Sequence, residues 1–141
     1  MAATTLTVAG DWTVNGTFNG GTGTVNFNGD TFVEGSGALG FNHLVISGIV
    51  SNDTDISLTG SLTNNGTFVS GAGTTTINGD FNHNGVLSTT FNGPSYSQIA
   101  VNGAMNIGVS ATYVPIIVGN TSTNVTLNSP YTNVISATSG I

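Results

Sequence analysis

Ionic chemistry in this 141-residue chain rests on eight side chains: the carboxylates of Asp11, Asp30, Glu34, Asp53, Asp55 and Asp80, and the imidazoles of His43 and His83. There is no Lys, Arg or Cys. A glycoside hydrolase needs two carboxylates about 5 to 9.5 Å apart across one bond. Asp30 and Asp80 are the pair to weigh, because each closes an Asn-Gly-Asp triplet and the two triplets occupy matching positions of a repeat. On that alignment they share a repeat column, although a solvated corner is the plainer reading of each. Lyases of acidic polysaccharides use a basic residue to abstract a proton or neutralise the substrate, and the chain has none. Asn52-Asp53-Thr54-Asp55 has the oxygen-rich look of a Ca²⁺ loop. It lacks the Gly-Gly-x-Gly-x-Asp spacing of calcium-binding solenoids, so Asp53 and Asp55 read as an ordinary polar loop. His43 and His83 have no Cys or His at ligand spacing and read as surface or cap residues. No residue is assigned a catalytic, cofactor-binding or metal-binding role, and the chain reads as non-enzymatic.

The same composition limits the partners. Charged residues are 4% of the chain and the formal net charge is −6. Nucleic-acid binding is excluded because phosphate neutralisation needs Lys or Arg, and docking on anionic lipid fails for the same reason. The longest apolar run, Tyr-Val-Pro-Ile-Ile-Val at 113–118, falls far short of the roughly 18 residues of a membrane span. The start, MAATTLTVAG, has neither the basic nor the apolar region of a signal peptide. On that reading a leader has been removed, or the protein leaves its cell by another route, as a virion or phage-fibre component would. Asn15, Asn52, Asn65, Asn120 and Asn124 each begin an Asn-x-Ser/Thr sequon.

The elements that must position these groups are strands. Helix formers are scarce, while Gly, Asn and Thr supply turn and strand vocabulary. Residues 6–30 and 56–80 align without gaps and are identical at 12 of 25 positions. Apolar character is also kept where identity is not: Leu6 with Ile56, Trp12 with Leu62, Phe27 with Ile77. Apolar-x-apolar cores recur at Leu6–Val8, Val25–Phe27, Leu44–Ile46, Ile56–Leu58, Thr75–Ile77, Ile99–Val101 and Val125–Leu127. Asn-Gly or Gly-x-Gly corners separate short period-two stretches. A sandwich of hairpins would use Asn-Gly as a chain-reversing turn but gives no reason to repeat Asn-Gly-Thr-Phe at a fixed offset. Stacked coils do. The expectation is an all-β, parallel β-solenoid (β-helix) of about six to seven coils of ~19–26 residues, one domain over 1–141, with Asn-Gly-rich repeats at 1–92 and more divergent terminal coils at 93–141. One strand core per coil is expected, with Trp12 and Leu62, and Phe18 and Phe68, filling shared interior columns. Glycine is expected at the corners for its positive φ. The outward column Thr7, Asn26, Val45, Ser57, Thr76, Ala100, Thr126 is mixed, which argues against an ice-binding Thr ladder.

The stretch GDWTVNGTFNGGTGTVNFNGD, with FNHLVISG and ISLTGSLTNNGTF after it, resembles the repetitive β-helical regions of bacterial cell-surface and adhesin-like proteins. YSQIAVNGAMNIGVSATY and SPYTNVISATSGI are similar to the last coils of autotransporter passenger domains. Gly108-Val-Ser-Ala111 stands where those coils usually carry Gly-Gly-x-Leu, and no basic residue appears. The resemblance implies extracellular or cell-surface exposure and a stalk, adhesive or filament role, with no catalytic set.

Neither end carries the Lys or polar cap that usually guards a solenoid's open strand edges. TTLTV reads as strand near the start, and YTNVISATSGI reads as strand to the finish. The chain is then a stretch of a longer solenoid, or a subunit whose ends stack on other copies. The reading preferred is a structural subunit of an extracellular filament, with itself as partner. The alternative is an adhesin module binding a surface glycan or protein through loops at 47–55 or 88–96.

Overall fold

The computed structural model describes residues 4–92, 95–118 and 134–138. The chain winds as a triangular parallel β-solenoid, each coil contributing one strand to each of three sheets. The first coil comprises β1 (Thr5–Val8), β2 (Trp12–Thr13) and β3 (Thr17–Asn19). The second holds β4 (Thr24–Phe27), β5 (Asp30–Glu34) and β6 (Ala38–Phe41), and the third β7 (His43–Ile46), β8 (Ile49–Asn52) and β9 (Ile56–Leu58). The fourth holds β10 (Leu62–Asn64), β11 (Thr67–Ser70) and β12 (Thr74–Ile77). In the fifth, β13 (Phe81–His83) and β14 (Val86–Asn92) are followed by a short antiparallel strand, β15 (Ser95–Tyr96), before β16 (Gln98–Val101). The sixth comprises β17 (Met105–Ile107), β18 (Thr112–Ile117) and β19 (Ile135–Ala137). Every coil-to-coil pairing is parallel, so the Asn-Gly corners bend the chain and do not reverse it.

Strands are this short because each face needs only two inward side chains before the next corner. On the first sheet one inward column runs Leu6, Val25, Leu44, Leu62, Phe81, Met105. The adjacent column runs Val8, Phe27, Ile46, Asn64, His83, Ile107. The third sheet stacks Phe18, Leu39, Ile56, Thr75, Ile99 and Ile135. In the lowest coils these columns converge on Trp12, Phe18, Phe27 and Phe41, whose ring centroids lie 5.0–6.2 Å apart, mostly edge to face. Edge-to-face rings put the positive rim of one quadrupole on the negative face of the next.

The internal repeat follows a rule different from the expected one. Leu6 lies on the first sheet, but its counterpart Ile56 lies on the third; Trp12 and Leu62 lie on the second and first, Phe18 and Phe68 on the third and second. An offset of fifty residues advances two full turns and two further faces. The repeated unit is therefore a face with its corner, and the three sides of the triangle accept the same residues. For the same reason the seven strand cores are not one column: the first three belong to the first sheet, the next three to the third. Val125–Leu127 and Thr126 lie outside the described residues. The outward column likewise divides into Thr7, Asn26, Val45 on one sheet and Ser57, Thr76, Ala100 on another.

Glycine at the corners serves close approach more than conformational freedom. Among the described glycines only Gly21 and Gly35 have positive φ. Gly29, Gly48, Gly66 and Gly85 stack at the corner between the first and second sheets, where a Cβ on Gly66 would sit 2.0 Å from the Gly48 carbonyl oxygen. That oxygen accepts the Thr67 N–H at 2.9 Å, so the backbones must touch for the ladder to continue around the corner. Gly66→Ala is expected to lower unfolding free energy by about 1–3 kcal/mol, as overpacking does. Gly10→Ala, where no atom lies within 4 Å of the added methyl, should be nearly neutral in the same urea titration. Equal losses would contradict the close-approach assignment.

Candidate functional site

The carboxylates do not converge, and three of the six bind backbone. Where strand pairing lapses at a corner, an N–H is left without a ladder partner, and such groups must be satisfied. Asp11 Oδ1 accepts the Phe32 N–H of the next coil at 3.0 Å, Asp55 Oδ1 accepts Thr74 N–H at 2.8 Å, and Asp80 Oδ1 accepts Ala104 N–H at 2.9 Å. Glu34 Oε1 accepts the Thr13 hydroxyl at 3.2 Å. At the corner between the third and first sheets this becomes a chain of clips: His43 Nδ1 accepts Ser61 N–H at 3.0 Å, Ser61 Oγ accepts Asp80 N–H at 3.3 Å, and Asp80 in turn holds Ala104. Ionised acceptors make stronger bonds of this kind than neutral ones. Carboxylates used this way need no cation beside them.

Asp30 and Asp80 do not share a column. Asp30 opens β5 at the corner between the first and second sheets, whereas Asp80 precedes β13 at the corner between the third and first. The paired-carboxylate reading fails because the repeat on which it rested advances two faces beyond its full turns. Asn52 points into the core, 1% exposed, and closes a local turn by donating Nδ2–H to the Thr54 carbonyl at 2.7 Å and accepting Thr54 N–H at 3.3 Å. Its side chain is thus turned away from exposed Asp53 and Asp55, and an N-linked glycan on Asn52 is incompatible with the folded core. Asn15 and Asn65 are exposed, while Asn120 and Asn124 lie outside the described residues. Among the described residues no three His, Cys, Asp or Glu side chains are grouped to hold a metal ion. Much of the proposed loop 47–55 is strand β8, and 88–96 contains the end of β14 and all of β15.

His83 departs most from the sequence reading. It is 3% exposed, inside the stack rather than at the surface or a cap. Asn64 Nδ2 lies 3.3 Å from His83 Nδ1 and donates also to the Val86 carbonyl at 2.8 Å; His83 Nε2 lies 3.3 Å from the Thr112 carbonyl oxygen. These partners select the neutral tautomer with the proton on Nε2, donating to Thr112, while Nδ1 accepts from Asn64. The signal available in the sequence was period-two spacing from Phe81 within "GDFNHNG", which places both side chains on one face.

The two ends of the stack are the other places where interior chemistry meets solvent. Leu6 is 46% exposed although Val25, Leu44 and Leu62 above it in the same column are buried. Around Leu6 lies an open recess of about 380 Å³ lined by Thr4, Phe18, Asn19, Thr24 and Val25 among others, with no titratable side chain. At the opposite end Ile107 and Tyr113 are inward-facing yet exposed. A second recess, about 480 Å³ beside the third sheet, contains one carboxylate, Asp55, already engaged by Thr74. Comparison with protein-family models, curated proteins and solved structures found no match. The class that the fold defines is the three-sided parallel β-solenoid.

Burial draws His83 below its ordinary value of 6.5, and the bond to Thr112 partly offsets this. The folded chain thus resists a proton that the unfolded chain accepts. Stability from neutral His83 is complete above about pH 6.5 and is lost as pH falls from there through the lower folded value. Urea unfolding at about pH 7.5 and about pH 5 should show the wild type losing more stability than His83→Gln. Equal losses would contradict the assignment.

Proposed function

We propose that the chain is a non-enzymatic structural subunit of an extracellular filament or surface fibre, in which the sixth coil of one copy stacks beneath the first coil of the next. The observation that carries this reading is the pair of open ends. Among the described residues β1, β2 and β3 are the outer strands of all three sheets at one end, and β17, β18 and β19 at the other. No strand among the described residues covers these outer edges, and exposed parallel edges are templates for further pairing. Leu6, Phe18 and Val8 lie at the first end where a further coil would cover them. Head-to-tail stacking of this kind does not close and yields an open filament. The absence of Lys removes a common guard against such pairing. The resemblance to surface β-helices and passenger-domain coils supports the extracellular setting.

A second reading, an adhesin module, draws on the outer face of the second sheet. There Phe32 and Ile49 are 37% and 47% exposed, and Asp30, Glu34 and Asp53 are exposed beside them. Such a face would take a glycan or protein.

Electron microscopy of the purified protein decides between them. The structural reading predicts filaments with an axial repeat near 29 Å, six rungs at about 4.8 Å each. Leu6→Lys should leave folded single particles, since only the end coil is altered. Dispersed wild-type particles at high concentration, or filaments undiminished by Leu6→Lys, would overturn end-to-end assembly.

A further inference from the structure

The chain contains Asn-Gly eight times, and seven of these pairs lie wholly within the described residues. Spontaneous deamidation at such a pair requires the glycine nitrogen to swing onto the asparagine Cγ, so a glycine N–H already committed to a neighbouring coil is held back. Five pairs are held in this way. Gly20 N–H donates to the Gly40 carbonyl at 2.7 Å, Gly66 to Ile46 at 3.0 Å, Gly79 to Gly60 at 3.0 Å, Gly85 to Asn64 at 3.0 Å and Gly103 to Gly79 at 3.2 Å. In a sixth, Asn28-Gly29, the glycine N–H donates to no backbone carbonyl among the described residues, but the asparagine is tethered instead: Asn28 N–H donates to Val8 at 2.9 Å, and a Cβ on Gly29 would lie 2.1 Å from the Ala9 carbonyl oxygen.

Asn15-Gly16 is the exception. It sits at the corner between β2 and β3 in the first coil, and both residues are exposed. Neither N–H donates to a backbone carbonyl among the described residues. The Asn15 amide has no hydrogen-bond partner there; Gly37 of the next coil packs on the Gly16 backbone, where its Cβ would lie 1.8 Å from the Gly16 carbonyl oxygen, but no hydrogen bond ties either residue of the pair. We propose that Asn15 is a site of self-modification that deamidates ahead of the other six pairs. Gly16 N attacks Asn15 Cγ, forming the N–Cγ bond of a succinimide as its proton is lost. The Cγ–Nδ2 bond breaks and the amide nitrogen leaves, with that proton, as ammonia. Water then opens the ring at either carbonyl, giving Asp or isoaspartate at position 15. The product carries a new carboxylate at the end coil, and in the isoaspartyl form one extra backbone atom as well. The inference stands whether or not the ends assemble.

The test is incubation of the folded chain in mildly alkaline buffer, followed by chymotryptic digestion and mass spectrometry. Cleavage after Trp12 and Phe18 releases 13–18, in which Asn15 is the single amide. The folded protein should convert Asn15 about tenfold faster than Asn65, Asn78 or Asn84, roughly the rate equivalent of one backbone hydrogen bond. In denaturant the four rates should converge. Hydrogen-bonded pairs reacting as fast as Asn15 in the folded chain, or an Asn15 advantage that survives denaturation, would overturn the proposal.

Discussion

Each coil lies directly on the backbone of the one before, and this contact between main chains is the condition that the other features of the structure meet. Three parallel ladders satisfy the strands, but a ladder can turn a corner only where nothing larger than hydrogen intervenes. Gly48, Gly66 and Gly85 meet that condition at one edge, and Gly60, Gly79 and Gly103 at another. Asparagine side chains extend the ladder outward: Asn84 donates to Asn65 at 2.9 Å, Asn102 to Asn78 at 2.7 Å and Asn106 to Asn82 at 2.9 Å. A position flanked by main chain on both sides has few acceptable residues, which is why the same words recur.

Three of the carboxylates belong to this economy of backbone groups. Asp11, Asp55 and Asp80 each take one N–H that the corner would leave unpaired. An acceptor suffices for that task, and a cation would contribute nothing to it. The interior is less uniform than the apolar columns suggest: Asn64 and His83 stand where Phe27 and Ile46 stand below them. Their bonds to Val86 and Thr112 cross from the first sheet to the second, so a polar pair ties two sides of the triangle together.

Much of this architecture was legible in the sequence. Period-two cores, recurring Asn-Gly corners and a fixed offset lead to a parallel solenoid, and the strands at Val25–Phe27, Leu44–Ile46 and Ile99–Val101 fall where the pattern places them. What the pattern concealed was which face each strand occupies. Phe18 and Phe68 sit in identical Asn-Gly-Thr-Phe contexts yet on different sheets, because three equivalent sides impose the same local demands. Asp30 and Asp80 were misplaced together for that reason. His83 was misread for another: alternation predicts that it shares a face with Phe81, but burial of an imidazole depends on Asn64, nineteen residues away in the coil below. The corner glycines were recognised, but their role in close approach becomes visible only with the neighbouring coil in place.

Rotation of the repeat around the triangle is the central claim, and engineered disulfides test it most directly. The native chain has no cysteine to interfere. Asp30 pairs in register with Ile49 on the outer face of the second sheet, and adjacent strands lie about 4.8 Å apart, a spacing that a disulfide spans. Mild oxidation of the Asp30→Cys, Ile49→Cys double variant should close the bond in the folded state. The Asp30→Cys, Asp80→Cys variant should stay reduced within the monomer. Closure of the second pair and not the first would place the two aspartates in one column and contradict the account.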